Sequence, residues 1–355
     1  MTLWIWLALV ASALVVALWF VDSFWLGRKR LLQRLHSVKQ RQAVPVITAP
    51  DLGTALGYVV LLLTAFLLWQ TMPLGLDLAI PMLIFLLILS LAKLLDLWLL
   101  KPVRVELDAL EDNGKQSHSP YYRMTHLADT AREYWLFLLV VFVIRSFIVE
   151  PFRIPSGSMH PTLIEGDHIV VNKFSYQISL PAFNIPLWQH TDPQVGEVVV
   201  FTPPHMPMRF IKRIIAGPGD HVRYDFMTKQ LFVNHELVAV QRLGDAFYHQ
   251  ESVGLYRESL ADVEHNIYLQ EQTLAQRDLF AITRIYPFTN DLMSTGVLLD
   301  EGYYFMMGDN RDFSEDSRFF GPVHQSQIAG KAFAIWMNWE SITSLPSFNR
   351  VQRIQ

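Results

Sequence analysis

The sequence predicts several membrane-spanning helices followed by one mostly β domain over residues 151–355. Two observations lead there. The 51% hydrophobic content, with 23 Phe and 10 Trp, is weighted toward the stretch before residue 150. Beyond it come short β-branched or aromatic runs, VGEVVVFTPP, HVRYDFMTKQLFVNHELVAV and GYYFMMGDN, broken by Pro, Gly and Asn. The chain has no cysteine, which excludes disulfides, thiolate catalysis and thiolate metal sites. A net charge of −4 gives no reason to expect a nucleic-acid partner.

Four segments have the character of membrane spans: about Leu3–Val21, Leu56–Met72, Leu76–Leu100 and Tyr134–Val149. Spanning hydrocarbon as helix takes roughly 17 to 25 mostly apolar residues. The first three qualify; the third carries Lys93 and Asp96 near its end. The fourth is marginal and carries Arg145, whose long side chain can snorkel to the headgroups. The first segment opens with MTLW, which lacks Lys and Arg, whereas GRKRLLQRLHSVKQR follows it directly. A cleaved secretory signal has its positive charge in front, so this segment reads as a retained anchor.

Charge also sets direction. Six Lys or Arg fall between Arg28 and Arg41 and five between Lys101 and Arg132, whereas the TMPLG turn has none. By the positive-inside rule, residues 22–54 and 101–133 face the cytoplasm. The expected order is a helix over 1–21, a basic loop over 22–54, a two-helix hairpin over 55–100, a second loop over 101–133, a fourth helix over 134–150 and an external domain over 151–355. In a bacterial cell that domain would face the periplasm from the cytoplasmic (inner) membrane.

Inside the β domain, hairpin turns are expected near Thr228–Gln230 and at Asn234–His235. Residues 258–280 are undecided between helix and irregular coil. The apolar run Phe147, Ile148, Val149, Phe152, Ile154 leads from the last membrane segment to a turn holding Ser156 and Ser158.

A serine hydroxyl needs a base to become a nucleophile. The β half has nine histidines but no G-x-S-x-G elbow, and His160 reads as a surface group in a turn. Its four lysines are Lys173, Lys212, Lys229 and Lys331. Lys229 falls in the hairpin turn and is expected to be solvated. Lys212 lies between Phe210 and Ile214, on one face if the segment is a strand. It is then either a desolvated amine with a lowered pKa or a snorkelling surface lysine on an edge strand.

The acidic run GDNRDFSEDSRFFG at 308–321 lacks calcium-loop spacing and carries Arg311 and Arg318. It reads as a hydrogen-bonded structural loop with Asp316 and Arg318 paired. His235-Glu236 lacks the second histidine of a zinc-protease motif, and GPGD at 217–220 is too short to cradle phosphate. No metal and no cofactor are expected.

Three motifs in order after an apolar helix, IPSGSMHPTL, RFIKRIIAGPGD and GDNRDFSEDSR, resemble the conserved boxes of type I bacterial signal peptidases (leader peptidases). The resemblance covers about residues 143–340. It implies a largely antiparallel β catalytic domain resting an apolar surface against membrane lipid, and a membrane serine endopeptidase using a Ser–Lys dyad. It implies Ser158 as nucleophile and Lys212 as general base. Ser156 would add an oxyanion donor beside the Ser158 N–H, Ser314 would hold the lysine amine, and Asp316 and Arg318 would brace the region. Phe152, Ile154, Pro155, Met159, Leu163, Phe210 and Ile211 match positions lining shallow pockets for small side chains of an A-x-A cleavage site. The implied substrates are secreted and membrane preproteins with signal peptides.

The chain departs from the family pattern in having four expected crossings rather than one or two, Phe210 where Tyr is common, and no cysteine pair. The hairpin at 55–100 reads as an anchor, with contact to the secretion translocon as the alternative. The competing readings are a histidine-dependent serine protease or esterase and a non-enzymatic tethered assembly module. The charge pattern predicts no processing near residue 21. N-terminal sequencing of the mature protein should therefore begin before that residue; a start beyond it contradicts the topology.

Overall fold

The computed structural model describes residues 3–40, 59, 79–111, 126–180, 185–272, 276–341 and 344–354. The chain forms two compact units, 1–144 and 145–355.

In the first unit α1 (Leu3–Phe20) continues through a π-helical turn, Val21–Leu26, into α2 (Gly27–Lys39). The second long helix does the same, from α3 (Ala79–Leu95) through Asp96–Leu100 into α4 (Lys101–Glu111). Packed beside α3 lies α5 (His126–Val143). Leu31, Leu35, Leu89, Ala92, Leu100, Leu107, Leu127 and Ala128 are buried together. Carboxylates among such residues persist only when paired. Asp22 pairs with Arg30 at 3.2 Å, Asp96 with Arg104, and Asp129 with Arg132.

Among the described residues, Val10–Lys39 and Ala79–Leu107 are the two helices long and apolar enough to cross a membrane. The expected second crossing, Leu56–Met72, lies outside the described residues apart from Val59. The fourth expected crossing coincides with α5 and the π-helical turn Ile144–Ile148, a helix that does not meet the same test.

The second unit is built on antiparallel sheets, as the strand-and-turn texture predicts. Its main sheet runs β1 (Val149–Arg153), β2 (Asp167–Asn172), β16 (Ile328–Asn338), β5 (Val198–Phe201), β6 (Phe210–Ala216), β14 (Tyr303–Met307), β15 (Val323–His324), with β17 (Gln352–Arg353) on β16. β5 is VVVF, buried at every residue, as a strand covered on both faces must be. β2 alternates, with Asp167, Ile169 and Val171 buried. Ile154, Met159, Leu163, Ile169, Val171, Val198 and Val200 form one core cluster. A second holds Tyr176, Val199, Phe201, Ile214, Tyr304 and Met306.

Smaller sheets surround this one. β3 (Gln177–Leu180) pairs with β4 (Ile185–Gln189). β7 (His221–Asp225), β8 (Gln230–Val233), β9 (Glu236–Leu237) and β13 (Val297–Leu298) form a four-stranded sheet. Its turns fall where the sequence places them, with Lys229, Asn234 and His235 at positive φ. Lys229 is not solvated as expected: its Nζ meets Asp312 Oδ1 at 2.8 Å and donates to the Gln270 carbonyl at 2.8 Å. The turn sets its stem against the 310s loop, a contact that local sequence does not contain.

The 258–280 stretch, expected as helix or irregular coil, is mostly strand before residue 270. It holds the end of β11 (Glu251–Leu260), all of β12 (Val263–Leu269) and the start of α6 (Gln276–Ile285). A tight turn with Ala261 at φ 48° joins β11 to β12, and β10 (Ala239–Tyr248) completes a three-stranded sheet. Pairing along β11 outweighs weak local propensity, which is why the polar sequence is ambiguous by itself.

Beneath these strands lies a buried ionic network. Arg213, fully buried on β6, makes two hydrogen bonds to Asp309, at 2.9 and 2.8 Å. Glu258, buried on β11, receives both terminal nitrogens of Arg311 and meets His265 Nε2 at 3.1 Å. Removing one member strands the other's charge in the interior. Asp309→Ala is therefore expected to destabilise the full chain by about 3–5 kcal/mol in denaturation. The double change Arg213→Met with Asp309→Leu should recover most of that loss; no recovery would contradict the assignment.

Candidate active site

The turn after β1 carries Ser156 and Ser158. Backbone bonds fasten both of its ends: Ile154 N–H donates to Asp167 O at 2.8 Å and Gly166 N–H to Ile154 O at 3.0 Å. Ile154, Met159 and Leu163 plunge into the core and are buried. Ser158 is half-buried and Ser156 exposed. The sharp apolar/polar alternation of IPSGSMHPTL thus becomes a turn nailed down by its greasy residues, with its hydroxyls left outside the core.

Lys212 comes from β6, opposite Val199 of β5. Its side chain is buried, and Nζ donates to Ser158 Oγ at 2.5 Å. Burial pushes its pKa down from 10.5 to about 8. Asp316 pulls it up and the Arg318 charge pushes it down again, with Asp309 and Glu315 adding smaller upward effects. Of the two readings that the sequence leaves open, the desolvated amine is the one found. β6 is an interior strand, and Phe210 lies beside the ammonium, its ring centroid 5.8 Å from Nζ.

The 308–321 loop wraps the other side of the dyad. Asn310 reaches across 153 residues to donate its side-chain N–H to Gly157 O at 3.0 Å, and its backbone N–H donates to Ser158 O at 3.1 Å. Ser314 Oγ donates to Asp316 Oδ2 at 2.7 Å, so its oxygen can act toward Lys212 only as an acceptor. Asp316 also accepts from Gly308 N–H at 3.0 Å and from Arg318 Nε at 2.8 Å. Burial alone would raise the Asp316 pKa, but Arg318 overrides it and holds the carboxylate ionised. The Asp316–Arg318 pair expected from the sequence is present.

The residues expected to line substrate pockets separate into two sets. Ile154, Met159 and Leu163 are buried, so they act as backing. Phe152, Pro155, Phe210 and Ile211 keep exposed surface. Phe152 and Ile211 pack on the Ile154–Met159 cluster, whereas Phe210 packs with Phe201 and Phe320.

Three participants escape sequence reasoning. Asn310 is hidden among the acidic residues of its motif. Glu165 pairs with His160 at 2.6 Å and accepts from Tyr248 OH at 3.4 Å. His160 is therefore not a free surface group: it is half-buried, with its ring centroid 5.0 Å from that of Tyr248. Tyr248 comes from the tip of the β10–β11 hairpin, and no local pattern announces its meeting with the serine turn. Among the described residues no group of His, Asp and Glu could hold a metal ion.

A buried lysine amine within hydrogen-bond distance of a serine hydroxyl is an arrangement in which the amine can take the hydroxyl proton. The family model for signal peptidase, peptidase S26, matches residues 127–339, and the chain belongs to that family. It is a serine peptidase. It is 43% identical over 238 residues to signal peptidase I of Pseudomonas aeruginosa, covering 63% of this chain and 78% of that protein. The Pseudomonas fluorescens enzyme is 42% identical, covering 64% and 80%. That of Aquifex aeolicus is 35% identical, covering 58% and 82%.

Gly308 supplies a direct test of the packing. A Cβ there would lie 2.5 Å from the Ser158 carbonyl oxygen and closer still to Ser314 Oγ. Gly308→Ala should fold but displace the serine turn, cutting peptide hydrolysis by about 10²-fold. Unchanged hydrolysis would contradict this geometry.

Proposed function

We propose that the chain removes signal peptides by acyl transfer through Ser158, with Lys212 as the general base. The observation carrying this reading is the 2.5 Å contact between Lys212 Nζ and Ser158 Oγ on a lysine whose pKa lies near 8. At neutral pH a useful fraction of the amine is unprotonated. The neutral amine takes the Ser158 proton as Oγ attacks the carbonyl carbon of the substrate residue at −1. The Ser158 N–H and the Ser156 hydroxyl receive the oxyanion; losing one such donor costs roughly 3–4 kcal/mol of transition-state stabilisation.

The tetrahedral intermediate collapses, the C–N bond breaks, and the protonated lysine hands its proton to the departing amine of the mature protein. Water, deprotonated by the same lysine, then attacks the ester and frees the signal peptide. Ser314 accepts a hydrogen bond from the amine and keeps it aimed at Oγ, while Asp316 and Arg318 hold Ser314 in place.

The preprotein binds as an extended strand whose backbone bonds are indifferent to sequence. Shallow walls from Phe152, Pro155, Phe210 and Ile211, backed by Ile154, Met159 and Leu163, admit small side chains at −3 and −1 and exclude bulk. The charge pattern supports four crossings of a bacterial inner membrane, with the catalytic unit on the periplasmic side and the 55–100 hairpin as an anchor or translocon contact.

Full-length protein in detergent, supplied with a preprotein bearing Ala at −3 and −1, should make a single cut after the −1 Ala. Ser158→Ala and Lys212→Ala should both abolish it. Cleavage that survives Lys212→Ala would move the base to another group. The rate below saturation should rise with pH, reach half its plateau near pH 8 and level off above it, because only the deprotonated lysine is a base. A flat profile from pH 6 to 9 would contradict Lys212 as the base.

A further inference from the structure

A cavity of about 200 Å³ opens in the second unit. It lies where the helical turn before β1 leads into that strand. Ser146, Lys173, Gln177, Thr202, Arg209 and Ser326 contribute its polar lining, and no acidic residue lines it. Lys173 is buried at the start of a short turn after β2. Its Nζ meets Glu150 at 3.1 Å, and Glu150 also receives Arg145 at 3.1 Å, so one carboxylate serves two cations. Arg209 is half-buried over the Phe152 ring, 5.7 Å away, and makes no ion pair with a carboxylate among the described residues. The Ser146 hydroxyl is buried and has no hydrogen-bond partner among the described residues. A buried hydroxyl left unpaired beside surplus positive charge suits an anion with several acceptor oxygens.

We propose that this cavity binds the phosphate of an anionic phospholipid headgroup. Arg209 supplies a planar donor fork, Lys173 a point charge, and Ser146 and Thr202 supply hydroxyl donors. A lipid source is favoured over free phosphate by what surrounds the cavity. Phe174, next to Lys173, and Trp188 on β4 are exposed and both pack on the His190 ring, at 4.8 and 5.8 Å between centroids. Exposed aromatics of this kind settle at the headgroup level of a bilayer. Basic pockets beside membrane helices hold anionic headgroups in the same way. The inference rests on the proposed membrane crossing at 134–150, and its test reads binding rather than cleavage.

The experiment is native mass spectrometry of the full-length protein released from a neutral detergent. It is titrated separately with phosphatidylglycerol, phosphatidylcholine and inorganic phosphate. Phosphatidylglycerol should bind best, and Arg209→Gln should weaken its first binding event roughly tenfold, the scale of one charge-assisted contact. Ser146→Ala, a small change in a helical turn, should weaken it in the same direction while leaving the unfolding midpoint in place. Phosphatidylglycerol binding unchanged in both variants would overturn the proposal. Inorganic phosphate binding as tightly as the lipid would overturn the lipid source. Absence of headgroup selectivity in an enzyme that still cuts its preprotein would sink this inference and leave the catalytic reading standing.

Discussion

The proposed chemistry depends on keeping one lysine amine dry beside a serine oxygen. In water Lys212 would be a cation throughout the physiological range and useless as a base. Inside the sheet its charge is penalised by lost hydration, and the Arg318 guanidinium adds to the penalty. Asp316 works the other way, and were it unpaired it would pull the lysine back toward its solution value. Its bidentate grip on Arg318, at 2.8 Å from both Nε and Nη2, spends that carboxylate locally. The ion pair next to the dyad therefore has two tasks: it braces the loop that carries Ser314, and it limits how strongly the lysine holds its proton.

The same logic extends outward. Arg213 is the next residue along β6 and points to Asp309, one residue past Gly308. Asn310, one residue further, grips the carbonyls of Gly157 and Ser158. The strand that carries Lys212 and the loop that holds the Ser158 turn are thus joined by a fully buried pair. Such pairs are poor sources of net stability, but they fix register, because any slip strands a charge. Lys212 and Ser158 meet within hydrogen-bond distance across 54 residues of sequence, a contact that such a constraint holds in register.

Much of this was legible in the sequence, for identifiable reasons. Ser158 and Lys212 stood out only through the resemblance of their motifs to a known family, since residue types left Lys212 between a desolvated amine and a surface lysine. The Asp316–Arg318 pair and the short β-branched strands of the main sheet were readable directly. The 258–280 region was not legible, because β11 and β12 are polar on their exposed faces and take their shape from pairing. Glu165 and Tyr248, 83 residues apart, and the Glu258–Arg311 pair, 53 apart, are meetings made by topology alone. The pairing of Lys229 was missed for the same reason: its partners, Gln270 and Asp312, lie far along the chain. Met159 and Leu163 are buried, a property that their motif does not reveal, since apolar residues in a turn can face the core as easily as the surface.

The proton affinity of the Lys212 amine decides whether it can act as a base at neutral pH, and it can be measured without any substrate. Full-length protein carrying ¹³C,¹⁵N-labelled lysine would be titrated by NMR, with the Lys212 signal assigned by its loss in Lys212→Arg. A midpoint near 8 is expected from burial beside Arg318. A midpoint near 10.5 would mean that the amine is an ordinary solvated cation, and Lys212 could not then serve as the base at neutral pH.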